Sequence, residues 1–212
     1  MKKILHVVCV DNYLPELMEF TLPNLKAYAT KCGAEFNLIT ERKFPDFPPT
    51  YEKMQVHELG RGAEWNILMD ADFMIHPDFW DVTTGFRKDM VAFHAGYDAR
   101  YWFIPDQYFM RDGRARGIAT NFVAVSDWCH DVWTPLEFGW DVAKTKSKRL
   151  HIIDEYCFSR NLAKFGLKYT GINFEPEQQY MFQHMGLKDR TEDEIKACVA
   201  KAKQLLKEWG QA

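Results

Sequence analysis

Trp65-Asn66-Ile67-Leu68-Met69-Asp70-Ala71-Asp72-Phe73-Met74-Ile75 is the stretch on which the reading turns. Trp65–Met69 has the length and apolar character of a strand covered on both faces. It ends on two carboxylates at positions i and i+2, and the chain then continues extended through Phe73–Ile75. In an open α/β sheet, ligands gather outside the carboxyl ends of the strands. Two carboxylates placed where a buried strand emerges can therefore reach one ligand if the backbone turns there. Mg2+ and Mn2+ prefer hard oxygen donors, and they neutralise a diphosphate leaving group.

Taken alone, an Asp-x-Asp is also what a chain shows on reaching water. The same pair opens phosphatases of the haloacid-dehalogenase type, but there it follows the first strand and precedes Thr or Val. Here it follows a later strand and precedes Phe73, which disfavours that reading.

Ile4–Cys9 is a further apolar run and Asp11-Asn12-Tyr13 its polar exit. A helical stretch follows to about Lys31, interrupted or restarted near Pro23 and ended by Gly33. Glu35–Ile39 reads as a strand and the Pro-rich Phe44–Pro49 as a loop. Thr50 looks like the N-cap of a helix from Tyr51 to about Gly60, with Met54 and Leu59 facing a core. Beyond the acidic pair, Met90–His94 and Ala119–Val125 are strand-like and Asp127–Leu136 helical. Between the two strands lies a long aromatic and charged loop, from about Gly96 to Gly117. A basic loop, Lys144–Arg149, leads to a helix from about Ile153 to Phe165. Lys168–Ile172 and Gln179–Gln183 are short extended pieces. Thr191 and Glu194 form a capping box that opens a final amphipathic helix to about Trp209. Strands and helices alternate through the first half, so a single α/β domain over 1–212, with a mostly parallel sheet, is expected.

Composition limits the function classes. The chain has 212 residues, 47% hydrophobic and 27% charged, which is globular usage. A formal net charge of −3 with no long basic run argues against a nucleic-acid reader. The five cysteines are scattered, without a CxxC pair, as suits a reducing compartment. The apolar run near Met1 stops at Asp11 with no small-residue cleavage pattern, and no stretch reaches the roughly 20 apolar residues that span a bilayer. A soluble, cytoplasmic protein is expected.

The acidic pair has company. Tyr51-Glu52-Lys53-Met54, then Trp65 to Ile75, resembles the central segment of GT-A glycosyltransferases. The likeness is greatest to the glycogenin and lipopolysaccharide galactosyltransferase group (glycosyltransferase family 8), and the plant xylosyltransferases are similar. In those enzymes a Tyr-x-Lys on a helix precedes a strand ending in Asp-x-Asp, matched here by Tyr51-x-Lys53 and Asp70-x-Asp72. A His near the carboxyl end completes their metal site. Gln183-His184-Met185-Gly186-Leu187-Lys188 looks like a shortened form of that element, one residue short on each side of the glycine.

The resemblance implies a GT-A fold and a nucleotide-sugar donor, UDP-linked, whose sugar passes to a sugar or other hydroxyl acceptor. It implies Asp70, Asp72 and His184 as metal ligands. An imidazole among them tilts the cation to Mn2+ over Mg2+. Lys53 and Lys188 are candidates for the donor phosphates, and Asp11, Asn12 and Tyr13 for the nucleoside, where an ordinary Asx turn is the competing reading. Asp98, Arg100 and Asn121 are candidate contacts to the donor sugar, although Asn121-Phe122-Val123 lacks the glycine that the family places there. Asp154, and after it Glu155, is implied as the residue that positions the sugar near the reacting carbon, although acidic residues at a helix start need no function.

With retention, as the resemblance implies, the departing diphosphate oxygen takes the acceptor's proton and the protein orients and stabilises charge. With inversion, a carboxylate base is needed, and Asp154 or Glu155 would supply it. Two other readings compete. One is a non-catalytic domain that keeps the fold and binds a carbohydrate or partner. The other is a nucleotidyltransferase, which predicts a Gly-rich loop after the first strand where this chain has Asp11-Asn12-Tyr13-Leu14-Pro15. The aromatics Tyr97, Tyr101, Trp102, Phe103, Tyr108 and Phe109 offer flat faces to an acceptor sugar. The short chain leaves room for a homo-oligomeric neighbour to contribute at the acceptor side.

Overall fold

The computed structural model describes residues 2–94, 102–104, 108, 117–172, 182–184 and 191–211. Its centre is a sheet built from β1 (Lys3–Val8), β2 (Glu35–Ile39), β3 (Trp65–Asp70), β5 (Met90–His94), β6 (Phe122–Ser126) and β7 (Lys168–Ile172). Their order across the sheet is β2-β1-β3-β6-β5-β7. β1 lies parallel to β2 and β3, and β5 parallel to β7, while β6 is antiparallel to both β3 and β5. One strand thus runs against the rest of a mostly parallel sheet. Two short strands, β4 (Phe73–Ile75) and β8 (Phe182–His184), pair antiparallel in a separate ribbon.

Alternation along the strands sends side chains to two cores. Leu5, Val7, Ile67, Met69, Phe122 and Ala124 meet helix α1 (Pro15–Lys31) and the C-terminal helix α3 (Glu192–Glu208) on one face. Leu68, Val91, Phe93, Val123 and Val125 meet helix α2 (Ile153–Lys164) and two 3-10 helices, Pro49–Gln55 and Asp127–Trp133, on the other. All five residues of β6 are buried, as a strand covered on both sides requires. Each large apolar side chain withdrawn from water contributes about 1.5–3 kcal/mol, so the two covered faces hold the sheet and its strand ends in place.

A polar cluster interrupts the packing around β1. His6, wholly buried, has Nε2 2.9 Å from Asn66 Oδ1 and accepts at Nδ1 from Asn37 Nδ2 at 2.9 Å. Asn66 Nδ2 in turn donates to Gly60 O. A Cβ at residue 60 would lie 2.4 Å from Asn66 Oδ1, so only glycine permits this approach. Burial pushes the His6 imidazole down to about 4, partly offset by its bond to Asn66.

Local expectations differ from the structure in four places. α1 runs unbroken through Pro23, because burial of Leu17, Met18, Leu25, Tyr28 and Ala29 outweighs one missing hydrogen bond. The helix expected from Thr50 begins instead with Pro49, whose fixed φ suits a first turn, and its first seven residues are 3-10. Thr50 Oγ1 donates to His151 O at 2.7 Å and is not the cap, and Leu59 is exposed. The 3-10 helix after β6 stops at Trp133 because Thr134 precedes a proline and takes an extended conformation. The capping box at the start of α3 forms as expected, with Glu194 N donating to Thr191 Oγ1 and Thr191 N to Glu194 Oε2. All five cysteines are free thiols. Among the described residues no helix is long and apolar enough to cross a membrane.

Candidate active site at the carboxyl end of the sheet

β3 delivers Asp70 to the edge where its parallel neighbours also end. β6 runs the other way, so its entrance arrives at the same edge: Asp70 N donates to Asn121 O at 2.9 Å. Thr120 precedes Asn121 there, and the N-terminus of α2 brings Asp154 and Glu155. The 3-10 helix Pro49–Gln55 brings Lys53 beneath them.

These residues converge on one ammonium group. Lys53 Nζ lies 2.8 Å from Asp70 Oδ1, 3.1 Å from Asp154 Oδ2, and 3.2 Å from both Thr120 O and Thr120 Oγ1. The Thr120 hydroxyl donates to Asp154 Oδ2 at 2.5 Å. Three N–H directions are thus matched by Asp70, Asp154 and Thr120, so Lys53 binds the acids of the site and is not presented to a phosphate. Burial works to strip its proton, but the carboxylates of Asp70 and Asp154 outweigh that and raise it above the ordinary lysine range. Lys53 is therefore a fixed positive charge. The second oxygen of Asp154, Oδ1, is buried and takes no hydrogen bond from the described residues, which leaves a strong acceptor for a ligand hydroxyl.

Asp72 has different surroundings. It is buried, whereas Asp70 is half-buried. The Cys198 thiol on α3 is raised by burial and then by the charge of Asp72, so Asp72 lies within electrostatic reach of the C-terminal helix. In the β4/β8 ribbon Phe73 is the register partner of His184, which sets the His184 backbone across the ladder, one residue on from Asp72. Among the described residues no three His, Cys, Asp or Glu side chains gather closely enough to hold an ion. Asp70 and Asp72 carry hard carboxylate oxygens of the kind a divalent cation takes.

The turn after β1 is strained. Asp11, Asn12 and Leu14 adopt positive φ of 56, 53 and 42°, an unusual run without glycine. Backbone held in this region concentrates at ligand-binding positions. Tyr13 is half-buried and packs against the core of that face. Arg42 Nη1 meets Asp11 Oδ2 at 2.6 Å, and its Nε meets Glu52 Oε1 at 2.9 Å. Glu52, wholly buried, also accepts from Lys43 N, Phe44 N and Gln55 Nε2. The turn after β1 and the lysine under the acids are thereby tied to one short helix. Asn121 Nδ2 donates to His94 Nδ1 at 3.2 Å, which adds the end of β5 to the cluster.

Sequence reasoning missed Thr120, Arg42, Glu52 and His94. The position of Glu52 between Tyr51 and Lys53 was the one available signal. Tyr51 itself is a core residue, stacked on Phe47 with ring centroids 4.0 Å apart. Asp98, Arg100 and Lys188 lie outside the described residues, as do Tyr97, Tyr101 and Phe109 of the loop aromatics, and for His184 only the backbone is described.

No protein-family model and no curated protein sequence matches the chain. Solved structures do. A glycosyltransferase involved in the glycosylation of the major capsid of PBCV-1 superposes with a TM-score of 0.60 at 14% identity, over 96% of this chain and 100% of that one. A mutant of Drosophila beta-1,4-galactosyltransferase 7, in complex with manganese, UDP-Gal and xylobiose, superposes with a TM-score of 0.52 at 12% identity, over 91% and 76%. With the sheet order and flanking helices above, these likenesses show that the chain has the GT-A fold of nucleotide-diphospho-sugar transferases.

Proposed function

We propose that the protein is a metal-dependent glycosyltransferase that moves a sugar from a UDP-sugar to a hydroxyl acceptor with retention of configuration. The observation that carries this reading is the Asp70–Lys53–Asp154 cluster at the carboxyl end of a GT-A sheet. A neighbour of the same fold was solved with manganese, a UDP-sugar and a sugar acceptor, which supports the donor and acceptor classes.

In this reading Asp70, Asp72 and His184 hold Mn2+ or Mg2+, and the cation supplies charge neutralisation at the diphosphate. Asp11, Asn12 and Tyr13 receive the nucleoside, with Arg42 keeping Asp11 in place. Asp154 accepts a donor-sugar hydroxyl at Oδ1 while Thr120 and Lys53 occupy Oδ2, so its orientation is set before the sugar arrives. Glu155 and Asn121 line the same edge, and Asp98, Arg100 and Lys188 are the further donor contacts. The acceptor's proton passes to the departing diphosphate oxygen, and no dedicated base on the protein is required.

Titration calorimetry with UDP, with and without Mn2+, tests the reading. Binding should require the cation and be lost in Asp72→Ala. Metal-independent binding, or unchanged binding in that variant, would overturn it. Release of UDP from UDP-sugars separates the enzyme from a binding domain of the same fold.

A further inference from the structure

Residues 141–151 take no part in the site above, yet they hold a concentration of positive charge. Lys144, Lys146, Lys148 and Arg149 stand against a single carboxylate, Asp141, in a chain whose formal net charge is −3. The segment has a defined conformation. Phe103 and Ser147 form an antiparallel bridge, with Ile104 N donating to Lys146 O at 2.8 Å and Lys148 N to Trp102 O at 2.7 Å. Side chains alternate across such a ladder. Phe103 and Ser147 turn inward and are 4% and 5% exposed, so Trp102, Ile104, Lys146 and Lys148 share the outer side.

Two large aliphatic side chains stand among these cations. Ile104 is 49% exposed and Leu150, directly after Arg149, is 47% exposed. The Arg149 guanidinium lies 3.5 Å over the Trp102 ring, which keeps a cation and an indole together at the surface. Basic residues mixed with protruding aliphatic and indole groups suit the boundary of a bilayer, where cations meet lipid phosphates and apolar tips enter beneath them. A soluble polyanion would engage the cations and leave the aliphatics without a role.

We infer that this face docks onto an anionic phospholipid bilayer, with Ile104 and Leu150 entering the headgroup boundary and Lys144, Lys148 and Arg149 meeting lipid phosphates. Leu150–Ile152 leads straight into α2 and Asp154, and Thr50, in the same short helix as Lys53, bonds His151 O, so the docked face adjoins the candidate active site. The inference stands apart from the transferase reading, because vesicle binding is measured without nucleotide or cation.

Co-sedimentation with phosphatidylcholine vesicles, with and without phosphatidylglycerol, tests it on the full chain. Binding is expected only with phosphatidylglycerol, falling as salt rises. Lys148→Glu with Arg149→Glu should weaken it by about tenfold or more. Ile104→Asp with Leu150→Asp should weaken it separately, with thermal melting confirming that each variant folds. Absence of binding, or equal binding to neutral vesicles, would overturn the inference. So would binding to heparin as tight as to vesicles with no effect of the Ile104 and Leu150 changes, which would identify a soluble polyanion as the partner.

Discussion

A lysine ammonium almost out of contact with water would ordinarily shed its proton, and Lys53 keeps its own because Asp70 and Asp154 stand 2.8 and 3.1 Å away. The dependence is mutual, since the acids lose their counter-charge without it. Lys53→Met should therefore destabilise the fold by about 3 kcal/mol or more, the usual cost of breaking a buried pair. Urea denaturation measures this, and a loss under about 1 kcal/mol would show the group to be less committed than its geometry indicates. Sequence singled out both Lys53 and Asp154, but as separate contacts to phosphate and sugar. Their direct pairing spans a long stretch of chain, and spacing along a sequence carries no information about such an encounter. Thr120 was invisible for the same reason: a threonine before a strand has no signature until the carboxylate it serves is in place.

Elements were legible where the determining chemistry is local. Thr191 and Glu194 lie three residues apart, so the capping box could be read and is present. The break expected near Pro23 failed because a proline's effect is set against burial of a helix face that only the assembled core supplies. Pro23 is exposed in the interior of α1, where it removes one hydrogen bond and crowds the preceding turn. Pro23→Ala should stabilise the protein by about 1–2 kcal/mol, the helix gain less the lost restriction of the unfolded chain. A higher melting temperature would bear this out, and an unchanged or lower one would mean that the ring makes a contact worth more than the bond it removes. Thr50 misled because two prolines ahead of it, Pro48 and Pro49, start the helix earlier on backbone geometry alone.

For the whole molecule, the alternation of strands and helices was enough to indicate a mostly parallel α/β sheet, whereas the strand order and the reversal of β6 were not readable. They follow from which faces bury against which helices. His6, at the middle of β1 and bonded to β2 and β3 neighbours, makes stability respond to acid. Unfolded, it titrates near its ordinary value of about 6.5, and folded, at about 4. Its contribution is complete above the unfolded value and is lost as pH falls through that interval, by up to about 3 kcal/mol. Urea midpoints between pH 7 and 4.5 should fall in the native chain, and less steeply in His6→Leu. Equal slopes would place the acid sensitivity elsewhere.

The direction of β6 has a consequence for variation. Strands aligned with β3 contribute their exits to the ligand edge, where longer or shorter loops are free to change. β6 contributes its entrance, so the chain arriving from residues 117–121 is both the approach to a buried strand and a direct neighbour of Asp70. Ile118, Ala119 and Thr120 on that approach are buried, and Thr120 bonds both Lys53 and Asp154, so a substitution there disturbs the acid cluster and the strand's entry together.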